Sequence, residues 1–245
     1  MPLLTAFVGA TLYTVSGAPI PSGVLLVEGD RIVAVGPAGE QAVPAGAEVV
    51  DLTGKVIIPG LVDLHSHIGG GRLHENLGPT QPAISAIDAI DPSHVSIQRA
   101  QAGGITTANV MPGSGKLIGG QTAYLDLIDA DTVDELLHCG GERWVDTCGG
   151  MKMANGTNPQ GGGGDPSSRM GSAYLQRQAL QRGVDRLDEY PAVDDGRRRR
   201  RREKAPKPPD PDPEADTLAQ LISGERVVHF HTHRADDIIT ALRLQ

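Results

Sequence analysis

The chain has 245 residues, a formal net charge of -8 and 39% hydrophobic content with only 3% aromatic residues, which suits a globular protein whose core is built from Leu, Ile, Val and Ala. No apolar window reaches the length of a membrane span, and the apolar stretch Pro2 to Val15 lacks a basic start, the first basic residue being Arg31. A secretory signal and a membrane-spanning helix are therefore not expected, and the cytoplasm is the expected compartment. Glycine, at 32 residues, points to many tight turns. Cys139 and Cys148 lie nine apart, match no Cys-x-x-Cys pattern and read as free thiols.

Short strands are predicted at Ala6 to Tyr13, Gly23 to Glu28, Arg31 to Val35 and Glu48 to Leu52, with Gly29-Asp30 forming a hairpin turn. They suggest a small β-sheet domain over residues 1–57 and a second domain over 58–245. The second opens with Ile58-Pro-Gly-Leu-Val-Asp-Leu-His-Ser-His-Ile68. Leu61, Val62 and Leu64 around Asp63 read as a buried parallel strand. On such a strand His65 and His67 share one face, because side chains alternate with period 2. Two neutral imidazoles there offer half of a site for a divalent cation, whereas a bare His-x-His on an edge strand would simply face solvent.

A helix signal follows, with Asp91 as N-cap, Pro92 at the first helical position and Gly103-Gly104 as the stop, and then a β-rich run from Ile105 to Val110. Strand, helix and strand in this order suggest a βαβ crossover and a parallel sheet. Pro112-Gly-Ser-Gly-Lys-Leu-Ile-Gly-Gly-Gln121 fails as a phosphate loop, since Val110 stands where the leading glycine belongs and Leu117 where the hydroxyl belongs; it reads as a flexible loop. Lys152, on the short apolar strand Gly149-Gly-Met-Lys-Met-Ala154, reads by itself as a lysine snorkelling from a sheet edge.

A helix is predicted over Ala173 to Leu187, and a low-complexity insertion over 191–216. The six arginines Arg197 to Arg202 in that insertion sit among acids, with no interleaved aromatics, so nucleic acid is not an expected partner. In Val227-Val-His-Phe-His-Thr-His-Arg234 the residues His229, His231 and His233 fall on one strand face, ahead of a helix over Ala235 to Leu244. His74, His94 and His138 have no such setting and are expected to face solvent.

The Pro-Gly-strand-His-x-His stretch resembles the first barrel strand of the amidohydrolase superfamily. Gly103-Gly-Ile-Thr-Thr107, Gly119-Gly-Gln-Thr122, Gly149 to Ala154 and Ser167-Ser-Arg-Met-Gly171 resemble segments of its imidazolonepropionase-related branch. The resemblance implies an α/β fold, a partial TIM-type (β/α) barrel preceded by a small N-terminal β-sheet domain. It also implies hydrolysis of a C–N bond in a small-molecule amide or cyclic amide, and a divalent cation, Zn before Fe, Mn or Ni, held by His65, His67 and His231. His233 would touch substrate, His229 would pack deeper or support a ligand, and Lys152 is the candidate for the carboxylated lysine that bridges two metals in some branches.

The superfamily takes a further histidine from its sixth barrel strand and an aspartate from its eighth, and neither is found here. About five barrel strands can be placed where closure needs eight, so the chain is read as truncated after the fifth, with impaired activity. The open sheet edges leave it able to self-associate. A non-catalytic remnant that binds metal or a partner through the same scaffold is the competing reading.

Overall fold

A computed structural model describes residues 3–71, 73–139, 148–160, 166–189 and 209–244. It divides the chain into two compact units, Met1–Leu61 and Val62–Gln245. The first unit is one sheet of β1 (Leu4–Leu12), β2 (Ile20–Glu28), β3 (Arg31–Pro37), β4 (Glu48–Asp51) and β5 (Val56–Ile57), in the order β3-β2-β1-β4, with β5 also pairing with β1. Ala6, Val24 and Leu26 are buried on one face of this sheet, with Leu4, Val8, Ala34 and Ala47 packed against them. The turn at Gly29-Asp30 joins Glu28 to Arg31 in register. Gly29 has a φ of 60°, the positive value that a Gly-first two-residue hairpin requires and that matches the strand twist.

The second unit holds β6 (Leu61–Ser66), α1 (Val95–Ala102), β7 (Ile105–Val110), β8 (Ile118–Gln121), β9 (Ala123–Asp126), α2 (Val133–Leu136), β10 (Met151–Ala154), α3 (Arg169–Glu189), α4 (Pro213–Ile222), β11 (Val228–His231) and α5 (Ala235–Leu242). Instead of one continuous parallel sheet there are two three-stranded sheets, β6-β7-β9 and β11-β10-β8. β10 and β11 are parallel, but β9 runs antiparallel to β7 and β8 antiparallel to β10. The barrel is not closed. One core lies under the first sheet, where Ile97, Ala108, Val110, Ala123, Leu125 and Leu136 are 0–1% exposed, each large side chain contributing about 2 kcal/mol by its removal from water. The second core joins Ile118, Met151 and Met153 to Ala179 of α3 and Leu218 of α4.

Several sequence expectations change. The run Gly115 to Gln121 does not form a flexible loop throughout: Leu117 and Ile118 are fully buried, and Ile118-Gly-Gly-Gln121 is strand β8. Its glycines hid the strand, yet Gly120 has a φ of 119° and a Cβ there would meet the Ile84 side chain at 2.6 Å, so only glycine lets the two segments approach.

The first helix starts at Val95 with His94 as its N-cap, because Asp91 instead accepts the Ser93 amide at 2.9 Å and closes a turn before the helix begins. His94 is accordingly half-buried and bonded to Ser96 rather than facing solvent, whereas His74 is exposed and His138, also exposed, meets Asp126 at 2.9 Å. The helix α3 is longer than expected at both ends. The arginine run lies outside the described residues, but the far end of the expected insertion is helical: Pro213 opens α4, and Asp212 caps it by accepting the Ala215 amide at 3.1 Å. Among the described residues no helix is long and apolar enough to cross a membrane.

The two cysteines are not free thiols; Cys139 and Cys148 form a disulfide with a Cα–Cα distance of 5.6 Å. Sequence spacing carries no sign of it. Tyr124 brings the pair together, its carbonyl accepting the His138 amide at 3.0 Å and its amide donating to the Cys148 carbonyl at 3.3 Å. Closing so short a loop stabilises a fold by about 2–3 kcal/mol. Reduction with excess dithiol should lower the free energy of unfolding in urea by that amount, and an unchanged midpoint would show that the crosslink contributes nothing.

Candidate metal centre

Strand β6 carries Asp63 and His65, and His67 follows directly. The strand is not buried as its apolar residues suggest: Leu61, Val62 and Leu64 are 50–71% exposed. Only Ser66 is buried, its carbonyl accepting the Met111 amide at 3.0 Å. Asp63 accepts the His65 backbone N–H at 3.1 Å, which steadies the bend of the chain at the histidine. The His65 and His67 rings meet edge-on with centroids 5.2 Å apart. His67 Nδ1 lies 2.8 Å from the Met111 carbonyl. A carbonyl only accepts, so the proton sits on Nδ1 and Nε2 keeps its lone pair, the orientation a metal-binding histidine adopts.

The second sheet brings Lys152 to the same place. Its side chain is 1% exposed, and its Nζ lies 3.1 Å from His65 Nε2 and 3.3 Å from Met111 Sδ. Among the described residues no carboxylate pairs with it. Burial holds the Lys152 amine below its usual pKa, because an ammonium without an anion is costly in an apolar setting. His65 is lowered too, by desolvation first, then by Lys152, His67 and His231, against an opposing pull from Asp63. This coupling puts His65 and His231 in reach of one another's charge.

On β11, His229 lies in register with Lys152 and His231 with Ala154. His231 Nε2 is 3.3 Å from Asn158 Nδ2 and 3.1 Å from His233 Nε2, while His233 Nδ1 is 3.2 Å from Thr157 Oγ1. With His231 Nε2 as acceptor, the Asn158 amide and the His233 ring share its single lone pair. Desolvation, then His233 and Lys152, hold His231 below its usual pKa, and desolvation followed by Lys152 does the same for His229.

The predicted ligands His65, His67 and His231 offer imidazole nitrogens, of which His65 Nε2 already faces Lys152 and His231 Nε2 already faces Asn158 and His233. They are not gathered into a ready cluster: among the described residues no group of three or more His, Cys, Asp or Glu side chains is arranged to hold a metal ion. Lys152, which by its own sequence setting reads as a snorkelling lysine and by the family resemblance as a candidate bridging lysine, is the buried group around which the others lie. Sequence reading passed over Asn109, Met111, Tyr124 and Asn158. Asn109 alone left a trace, as a lone amide between the buried Ala108 and Val110 of β7.

No protein-family model matches the chain. It is 32% identical over 194 residues to the amidohydrolase tasK of Hapsidospora irregularis, a match covering 69% of this chain and 19% of that protein. A shorter stretch of 58 residues is 45% identical to imidazolonepropionase of Fusobacterium nucleatum, covering 22% of this chain and 14% of the relative. The crystal structure of an amidohydrolase from Thermotoga maritima MSB8 superposes with a TM-score of 0.81 at 31% identity, covering 98% of this chain and 61% of that one. The chain therefore spans less than a fifth of either curated relative and 61% of the Thermotoga protein. With the His-x-His strand, the buried lysine and these likenesses together, the chain belongs to the amidohydrolase superfamily, on its imidazolonepropionase-related side, and covers part of the length of its larger homologues.

Proposed function

We propose that this chain supplies the metal-binding half of a hydrolase that cleaves C–N bonds in small cyclic or linear amides, in the manner of imidazolonepropionase. In this reading residues 58–245 are part of a TIM-type (β/α) barrel and residues 1–57 a separate sheet domain, with an insertion around 191–216. The observation that carries the proposal is the Lys152 amine, buried 3.1 Å from His65 Nε2 and coupled to His229 and His231. His65, His67 and His231 would hold the cation, Zn before Fe, Mn or Ni. When bound, the cation supplies Lewis acidity to polarise an amide carbonyl and to acidify water.

The chain's own residues prepare that site. The Met111 carbonyl faces His67 Nδ1, Asn158 and His233 face His231 Nε2, and His233 would be the candidate to contact substrate. Lys152, held as a free amine, is the group that carbon dioxide would convert to a bridging carboxylate. The partner is thus a small-molecule amide and neither nucleic acid nor membrane, the compartment is the cytoplasm, and the free edges of β6 and β11 favour self-association. There, reducing conditions would keep Cys139 and Cys148 as a dithiol.

Metal content measured by atomic emission tests the ligand set. The wild type should retain zinc through gel filtration, and His65→Ala combined with His67→Ala should lose it; equal metal in both would sink the reading. The competing reading, a non-catalytic metal-binding remnant, draws on the turning of His231 toward His233. Zinc retained with no turnover across hydantoins, dihydropyrimidines and imidazolones would favour it.

The lysine makes a separate prediction. A folded-state pKa below the ordinary 10.5 means that the unfolded chain binds the Lys152 proton more tightly. Its contribution to stability is therefore present above pH 10.5 and lost as pH falls through the lowered value. Lys152→Met should raise stability at pH 7 by about 1–3 kcal/mol and flatten the alkaline rise in a urea denaturation series. Mass spectrometry under carbon dioxide should show a labile adduct on the wild type that the variant lacks.

A further inference from the structure

His229 occupies a seat built for it. Its Nε2 lies 3.0 Å from Asn109 Nδ2 and 3.5 Å from the Tyr124 hydroxyl, and its ring meets the Tyr124 ring edge-on at 6.4 Å. Residue 150 has to be glycine for the ring to fit, since a Cβ there would stand 2.5 Å from His229 Cδ2 and from the Val227 carbonyl. The same Asn109 amide nitrogen also reaches the Leu64 carbonyl at 3.3 Å. A peptide carbonyl accepts and never donates, so the end of the amide that faces it is the NH2 group; its second N–H then points at His229 Nε2. That nitrogen must accept, and the ring proton must sit on Nδ1.

The consequence reaches across the unit. β6 and β11 belong to different sheets, yet Asn109 touches β6 one residue before His65 and β11 two residues before His231. Asn109 is 4% exposed, so water does not compete for these bonds, and a buried amide bond left unmade costs about 1–3 kcal/mol.

We propose that Asn109 is a positioning residue that locks His229 as its Nδ1–H tautomer and through that ring ties β6 to β11, setting the separation of His65 and His231. Its value to a metal centre rests on the reading above; the tie itself does not.

Long-range 1H–15N correlation on histidine-labelled protein above pH 7 tests the lock. The wild type should show His229 protonated on Nδ1. Asn109→Asp has no N–H to offer and should move the proton to Nε2, and Asn109→Ser, too short to reach, should give a mixture of tautomers. Amide hydrogen exchange at residues 63–66 and 228–231 should quicken about tenfold or more in both variants, while β1 and β2 stay unchanged. A wild-type His229 protonated on Nε2, or variants that leave tautomer and exchange as they were, would overturn the proposal. Zinc affinity should fall about 10- to 100-fold in the variants; unchanged affinity alongside a moved proton overturns the positioning role. A wild type that binds no zinc, with the tautomer shift intact, refutes the metal centre and leaves the tie standing.

Discussion

A lysine amine sits in the interior of this protein between two methionines of its own strand, Met151 and Met153, all three 0–2% exposed. Carrying an ammonium into such a place without a counter-ion is costly, and burial holds the amine's pKa below its usual value. The amine lies within hydrogen-bond distance of His65 Nε2 and Met111 Sδ. The parallel register of β10 and β11 sets His229 beside it on the same face, and His65 arrives from the other sheet. The geometry of the centre therefore follows from where one strand buries one lysine.

How much of this could be read in advance varies by physical cause. Local chemistry was legible: the Gly29-Asp30 hairpin, the strand Ile105–Val110 and the strand before α5 are each written in turn residues or in period-2 alternation. Structure made by distant partners was not. β8 looks like a loop because Gly119 and Gly120 lower its apparent propensity, and only distant neighbours explain them, the Gly113 carbonyl and Lys152 against Gly119 and Ile84 against Gly120. The disulfide is invisible because Tyr124, on another strand, brings its ends together. The capping of α1 by His94 was missed because an aspartate two residues ahead of a serine closes its own turn first.

The site divides in the same way. The period-2 rule placed His65 with His67, and His229 with His231, since spacing along a strand fixes the side chain's direction. That rule says nothing about which nitrogen carries a proton, and the function of an imidazole depends on it. Met111, Asn158 and Asn109 assign those protons, through a backbone carbonyl and two side-chain amides. Their residue types do not titrate and form no motif, so they escape a search by chemical character.

The charge pattern around Lys152 differs from that at the ion pairs of this chain. Three basic side chains among the described residues meet acids, Arg169 with Asp237 at 2.8 Å, Arg186 with Asp216 at 2.6 Å and His138 with Asp126 at 2.9 Å, whereas the buried Arg226 bonds to Gln220 and to the Gly149 carbonyl. A charged basic side chain that only holds the fold together gains from an acidic partner. Around Lys152 the pattern reverses. His65, His229, His231 and Lys152 lower one another or are lowered by burial, and the acid that acts on His65, Asp63, does not outweigh them. Gathering these bases with so little negative charge costs stability, and on the proposed reading a bound cation would offset that cost.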